Sequence, residues 1–383
     1  MVITRPPMGV NTWNFFGPDI SEKLLFELAD AMVEKGLRDL GYNYLVIDDC
    51  WAEYERDENG ILVPNKVKFP NGMKVICDYL HERGLKFGMY SCLGTMTCAS
   101  YPGSFGHEYT DANTFAEWGV DFLKYDYCFR SKQANPDDLY RKMSLALKST
   151  GREILFSACS WGRDKTETWI DTTGANIWRL AGDIKDDWDH IKCQALTYHK
   201  YSGVSFMNCF SDLDMLIVGM NGEGFCAIPG AKPTIEEYKT HFGFWSLVGS
   251  PLMIGSDIRN IDDASLELLS NKDLIALNQD KAFNRPWLIQ CSDAIVDSPE
   301  ICCYGRILDN GDIAVGFFNF SEKKVYNRYV TFDMLGLNSD LPLEISIKDL
   351  FTGEDVKFKN EMLNHYCLQP HQSAIYRISI KQK

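Results

Sequence analysis

Five stretches of the chain place charged or polar side chains at the ends of short apolar runs. These are Asp48 and Asp49 after "LVI", Tyr90 after "FGM", Lys124 and Asp126 in "DFLKYDYCFR", Cys159 and Trp161 in "SACSW", and Arg179 with Asp183 in "WRLAGD". Strand side chains alternate between faces, so Phe122, Lys124 and Asp126 share one face and Leu123, Tyr125 and Tyr127 the other. A buried charge is costly unless it is paired or put to use. A lone aspartate at a strand end is equally well read as a satisfied structural group, but the same pattern at five strand ends points to a site. No histidine stands at these ends, which disfavours metal-assisted hydrolysis and histidine-based nucleophilic catalysis. Carboxylates, two cations and aromatic walls suit glycoside hydrolysis, which needs one ionised and one protonated carboxyl.

Such groups must be carried by regular elements. Over the first 280 or so residues, β-rich runs alternate with helical patterns: "MGVNTW", "YNYLVIDD", "LKFGMYSC", "VDFLKYD", "ILFSACSW", "ANIWRL", either "VSFMNC" or "DMLIVG", and "PLMIGSD". Between the first two, Leu24, Leu25, Leu28, Met32 and Leu37 approximate one helical face, with Ser21 as N-cap and Gly41 near the C-terminus. Further helices fit residues 71–83, 111–118, 137–149, 234–248 and 262–271. About eight strands alternating with helices predict parallel βαβ units, and the count favours a closed (β/α)8 TIM barrel over an open doubly wound sheet. In such a barrel the active site is assembled at the carboxyl ends of the strands. After about residue 285 the pattern changes to short β runs, with a hairpin turn at Asn310-Gly311. The chain therefore reads as a barrel over 1–285 and an antiparallel β-sandwich over 286–383 that packs to stabilise it.

The formal charge of −14 argues against nucleic acid and anionic membrane surfaces as partners. No apolar run approaches a membrane span, and the first residues show no charged segment followed by an apolar core, so a cytoplasmic location is expected. The 13 cysteines are irregularly spaced and include no C-x-x-C pair, so zinc is not expected and most are read as reduced, buried thiols. "NFS" at Asn319 fits a glycosylation sequon by chance. "GEGFCA" at 222–227 fits G-x-G-x-x-A, but Pro229 follows at once and no helix opens there, which excludes a dinucleotide site; no cofactor is expected.

From "MGVNTWN" through "IDDCW", "TCASYPGSFG", "FAEWGVDFLKYDYC", "WRLAGDIKDDW" and "DLDML" to "ALNQD", the chain resembles the clan of retaining α-galactosidases and α-N-acetylgalactosaminidases. The order and spacing of these motifs carry the resemblance, which covers the whole barrel. It implies that Asp126 is the nucleophile and Asp183 the general acid/base, acting through a covalent glycosyl intermediate with net retention. Lys124 is then expected to keep Asp126 ionised, and repulsion from Asp126 to raise the pKa of Asp183. The resemblance further implies that Asp48 and Asp49 accept hydrogen bonds from the sugar 4- and 6-hydroxyls. It makes Trp13 and Trp51 aromatic walls, lines the pocket with Tyr90 and Met215, and places Arg179 at the 2-hydroxyl. Cys98 and Cys128 match a pair that is disulfide-bonded in secreted relatives.

Position 2 of the sugar separates galactose from N-acetylgalactosamine. "SACSWG" is similar to the plant and fungal form, in which Cys159 and Trp161 crowd that position, although Ser160 replaces the usual glutamate. The resemblance thus implies a galactose-containing oligosaccharide or glycoconjugate as substrate, and similar intracellular enzymes suggest a homo-oligomer. Three alternatives stand beside it: a β-L-arabinopyranosidase, an α-N-acetylgalactosaminidase, and a non-catalytic sugar-binding protein. Tyr127, where relatives carry a small residue or asparagine, is expected to support the nucleophile from behind.

Overall fold

The computed structural model describes residues 2–201, 204, 206, 208–282, 284–291, 300–337, 343–359 and 361–382. Eight short strands form one parallel sheet: β1 (Met8–Asn11), β2 (Tyr44–Val46), β3 (Lys86–Cys92), β4 (Phe122–Asp126), β5 (Leu155–Cys159), β6 (Ile177–Arg179), β7 (Phe210–Asp212) and β8 (Leu252–Ile254). They run in the order β7-β6-β5-β4-β3-β2-β1-β8. The circuit closes just past β7, where the Leu216 N–H donates to the Met253 carbonyl at 2.7 Å and the Leu216 carbonyl accepts from the Gly255 N–H at 2.8 Å. This is the (β/α)8 barrel that the alternation predicts.

The alternation on β4 is as expected. Phe122 and Lys124 face the barrel interior, where they line one small cavity with Ser157 and Ile177. Tyr125 points outward, its ring 5.9 Å from that of Tyr140. The strands are buried on both faces, as parallel strands covered by helices must be.

The helices are α1 (Trp13–Phe16), α2 (Glu22–Glu34), α3 (Gly72–Glu82), α4 (Glu108–Trp118), α5 (Pro136–Ser149), α6 (Trp188–Tyr201), α7 (Ile235–Val248), α8 (Asp263–Leu269) and α9 (Lys272–Asn278). Ser21 caps α2, accepting from the Leu24 N–H at 3.2 Å. That helix ends at Glu34; a 3-10 turn follows, and Gly41, at φ 107°, terminates the turn.

The structure departs from the sequence reading at three elements. The seventh strand falls between the two candidate runs, on Phe210–Asp212. The helix expected over 262–271 is α8, and a further helix, α9, follows it without a counterpart in the sequence reading; the Asn271 side chain caps α9 by accepting from the Leu274 N–H at 3.0 Å. Helix α6 has no counterpart in the sequence reading; its buried positions include Gln194 and Tyr198, which blur the apolar periodicity.

By internal contacts the chain divides into two units. One comprises 1–187, 206–232 and 251–262; the other comprises 188–205, 233–250 and 263–383. The second unit contains an antiparallel sheet in the order β13-β15-β11-β10-β9 and a two-stranded sheet β12-β14. These strands are β9 (Trp287–Cys291), β10 (Ile301–Ile307), β11 (Ile313–Asn319), β12 (Val325–Thr331), β13 (Leu343–Asp349), β14 (Met362–Leu368) and β15 (Ser373–Gln382). Val315, Phe317 and Ile378 of the larger sheet share one core with Val330 and Leu363 of the smaller, which makes a sandwich. The β10–β11 hairpin turns at Asn310-Gly311 as expected, with Gly311 at φ 84°. Asn319 is fully buried and donates to the carbonyls of Lys323 and Gln369, both at 2.8 Å, so the sequon is a structural asparagine.

Candidate active site

At the carboxyl ends of the barrel strands lies a pocket of about 390 Å³. It is lined by Trp13 and Asn14 after β1, Asp48 and Asp49 after β2, Tyr90 of β3, Cys98 after β3, and Lys124 and Asp126 of β4. Trp161 follows β5, Arg179 ends β6 with Asp183 beyond it, and Asp214 and Met215 follow β7. Seven strand ends therefore converge, as residues spread over a barrel rim must if they serve one ligand.

Asp126 is 6% exposed and tied down from both sides. Tyr90 OH donates to Oδ2 at 3.1 Å, and the Tyr127 N–H donates to Oδ1 at 2.7 Å. Asp183 differs. Its side chain is 63% exposed, and Oδ1 accepts from Arg179 Nη2 at 2.8 Å.

The electrostatics correct one expectation, that for Asp183. Lys124 forms its ion pair with Asp48, Nζ to Oδ2 at 2.7 Å, rather than with Asp126. Burial pushes the Asp126 carboxyl up to about 6, the Lys124 charge opposing but not cancelling it. At Asp183, burial raises the pKa, but the Arg179 charge, then that of Lys124, more than offset it and hold the carboxyl below its ordinary value. Before sugar binds, the proton affinities are thus the reverse of a simple nucleophile and acid pair.

The Asp48–Asp49 pair forms a fixed acceptor array. Asp48 Oδ2 also accepts from Asn11 at 2.9 Å, and Asp49 accepts from the N–H groups of Cys50 at 2.7 Å and Ala99 at 2.9 Å. The Ala99 amide belongs to the same turn as Cys98, which is disulfide-bonded to Cys128 with a Cα–Cα separation of 5.2 Å. The two sulfurs lie within 4.8 Å of the Asp126 carboxylate, so this bond ties the turn to the end of β4 beside the nucleophile candidate. Gly94 makes the approach feasible: a Cβ there would lie 2.0 Å from the Cys128 carbonyl oxygen. Replacing both cysteines with serine frees a crosslink spanning 30 residues, expected to cost about 3 kcal/mol. Urea unfolding of the parent and the variant measures it, and equal midpoints would refute a stabilising role.

Other expected site residues fall in different layers. Trp51 is outside the pocket lining; it is buried, donates from Nε1 to the Tyr90 carbonyl at 2.8 Å and packs edge-on against Trp118. Cys50, at φ 71°, turns the chain to place it there. Cys159 lines the small cavity beneath the pocket, 3.7 Å from Arg179 Nη1, so Trp161 alone of the expected pair faces the sugar space. Ser160 is buried behind them and accepts from Thr166 at 2.9 Å. Tyr127 is also behind the pocket: its hydroxyl donates to Asp164, and its ring packs edge-on against Trp161 at 6.0 Å. Sequence reasoning missed Asn14 and Asp214. The "DLDML" motif was the available signal for the second.

A carboxylate-lined pocket at the carboxyl end of a (β/α)8 barrel, with a β-sandwich following, defines the class as a glycoside hydrolase. Comparisons with known proteins narrow it. Residues 8–280 match the family described as "Alpha galactosidase A", and residues 303–378 match "Alpha galactosidase C-terminal beta sandwich domain". Alpha-galactosidase of Coffea arabica is 48% identical over 277 residues, covering 72% of this chain and 70% of that one. Alpha-galactosidase I of Mortierella vinacea superposes with a TM-score of 0.87 at 31% identity, over 98% of this chain and 97% of that one. The Saccharomyces cerevisiae α-galactosidase solved with raffinose gives 0.85 at 30% identity, over 99% and 98%. The chain belongs to the α-galactosidase family.

Proposed function

We propose that this chain is a retaining exo-glycosidase that removes terminal α-D-galactosyl residues from oligosaccharides or glycoconjugates. The observation that carries the proposal is the asymmetry of two carboxyls in one pocket: Asp126 buried and doubly hydrogen-bonded, Asp183 at the solvent edge against Arg179. A non-catalytic sugar receptor has no need of such a pair.

In this reading Asp126 attacks the anomeric carbon while Asp183 protonates the departing glycosidic oxygen. The bond to the aglycone breaks and an ester to Asp126 forms. Water, deprotonated by Asp183, then displaces the sugar from the ester with net retention. Substrate binding inverts the proton affinities of the two carboxyls. Water stabilises the charge on exposed Asp183; an aglycone that covers it removes that water and raises the pKa. Asp126 is already desolvated, and the hydrogen bonds from Tyr90 and Tyr127, together with positive charge developing at the anomeric carbon, favour its anion.

In this reading galactose specificity follows from Asp48 and Asp49, whose carboxylates line the pocket and accept from the axial 4-hydroxyl and the 6-hydroxyl. A sugar lacking either group displaces water from these carboxylates without returning the charge-assisted hydrogen bond. That disfavours a β-L-arabinopyranoside, which lacks the exocyclic carbon, and Trp161 leaves little room for an acetamido group. On a panel of aryl glycosides, α-galactoside is expected to turn over at least roughly 100-fold faster than β-L-arabinopyranoside or α-N-acetylgalactosaminide. Proton NMR should detect α-galactose as the first-formed product. A first product with the β anomer, or a preference for another sugar, would overturn the assignment.

A further inference from the structure

Arg179 is 2% exposed, and its Nη2 stands between two carboxylates: Asp183 Oδ1 at 2.8 Å and Asp214 Oδ2 at 2.6 Å. The same Asp214 oxygen accepts from the N–H of Ile184, the residue after Asp183, at 2.7 Å. Asp214 is 4% exposed and lies in the left-handed region at φ 76°. Its own N–H donates to Asp212 Oδ1 at 2.8 Å, which holds it in that conformation. A non-glycine residue in this region is strained, so it persists only where its surroundings require it.

The reading of Asp183 as general acid/base, on which the role of Asp214 rests, makes the Asp183 charge change twice in each turnover. If Asp183 were the only partner of Arg179, each protonation would leave a buried guanidinium without a counter-ion, which is strongly unfavourable. We propose that Asp214 is the positioning residue for the general acid, acting as the permanent counter-ion of Arg179 and so setting the proton affinity of Asp183. It does this in two ways. Its charge takes a share of the guanidinium field that would otherwise keep Asp183 ionised, and it repels the Asp183 anion directly. Its hydrogen bond to the Ile184 amide fixes the backbone beside the acid. Burial pushes the Asp214 carboxyl up to about 6, the Arg179 charge opposing it, so the device is charged at neutral pH.

The test is Asp214→Asn, which keeps an oxygen for Arg179 and Ile184 but removes the charge. Arg179 then acts on Asp183 alone, the acid loses its proton at lower pH, and the alkaline limb of kcat for raffinose, which reports the enzyme–substrate complex, moves down by about one pH unit. Near pH 7, turnover of raffinose falls about tenfold, while an activated dinitrophenyl α-galactoside, which needs no acid, changes far less. Asp214→Glu keeps the charge and is expected to leave the limb in place. Asp214→Ser stands in if the asparagine variant does not fold. An alkaline limb that stays or rises on loss of the charge overturns the proposal, because a purely structural role would lower activity without moving it. Asp183→Asn separates the two levels. Equal loss of kcat/KM on both substrates refutes the acid reading itself, whereas a selective loss of kcat/KM on raffinose with an unmoved limb in Asp214→Asn refutes only the role of Asp214.

Discussion

Asp126→Asn is expected to lower turnover of nitrophenyl α-galactoside at least roughly 10⁴-fold while yielding a protein that melts at a higher temperature than its parent near pH 7. The loss of activity follows from removing the group that forms the glycosyl ester. The gain in stability follows from the position of that group. Burial raises the Asp126 carboxyl to about 6. A carboxyl raised in this way contributes stability that is fully present below its unfolded value, near 4, and lost as pH rises through about 6. Near pH 7 the ionised carboxylate therefore costs on the order of 3 kcal/mol, and the neutral amide relieves most of this. Melting curves across the range from about pH 4 to pH 7 check it: the two proteins converge near pH 4, separate progressively between about pH 4 and 6, and differ by a constant amount above that. Substantial residual turnover would refute the nucleophile assignment, and a variant less stable than its parent near pH 7 would show that Tyr90 and Tyr127 hold the anion more firmly than burial opposes it.

The second large effect concerns leaving groups. Asp183→Asn is expected to lower kcat/KM on raffinose by roughly 10²–10⁴-fold, the usual contribution of a positioned acid. A dinitrophenyl α-galactoside departs without a proton, so its first step is nearly spared, and its glycosyl-enzyme accumulates because no base activates the water. A burst of dinitrophenol followed by slow turnover is the kinetic mark of this division. Proportional losses on both substrates, with no burst, would remove Asp183 from the role.

Much of this site was legible in the sequence because strand alternation is a strict rule. Once β4 is assigned, Lys124 and Asp126 must face the same way, and Tyr127 must face the other. What alternation cannot give is the choice of ionic partner. Lys124 is nearer in sequence to Asp126 yet pairs with Asp48, which another strand brings within 2.7 Å. Local backbone breaks account for further departures. Cys50 and Asp214 adopt positive φ with no glycine to signal it, so Trp51 turns into the aromatic core while Asp214 turns into the pocket. The seventh strand escaped for a different reason: Phe210–Asp212 has one apolar residue ahead of Ser211 and Asp212, and it lies between two more apolar runs that read better as strands.

That short strand leaves the barrel closed at its last seam by the backbone of Leu216, two residues beyond Asp214 and next to Met215. The stitch that shuts the sheet and one wall of the sugar pocket are thus the same few residues. Opening the seam removes a pocket wall, so inactivation on warming is expected to precede the loss of bulk secondary structure. Hydrogen exchange at the Leu216 and Gly255 amides is expected to follow the integrity of the active site more closely than circular dichroism does.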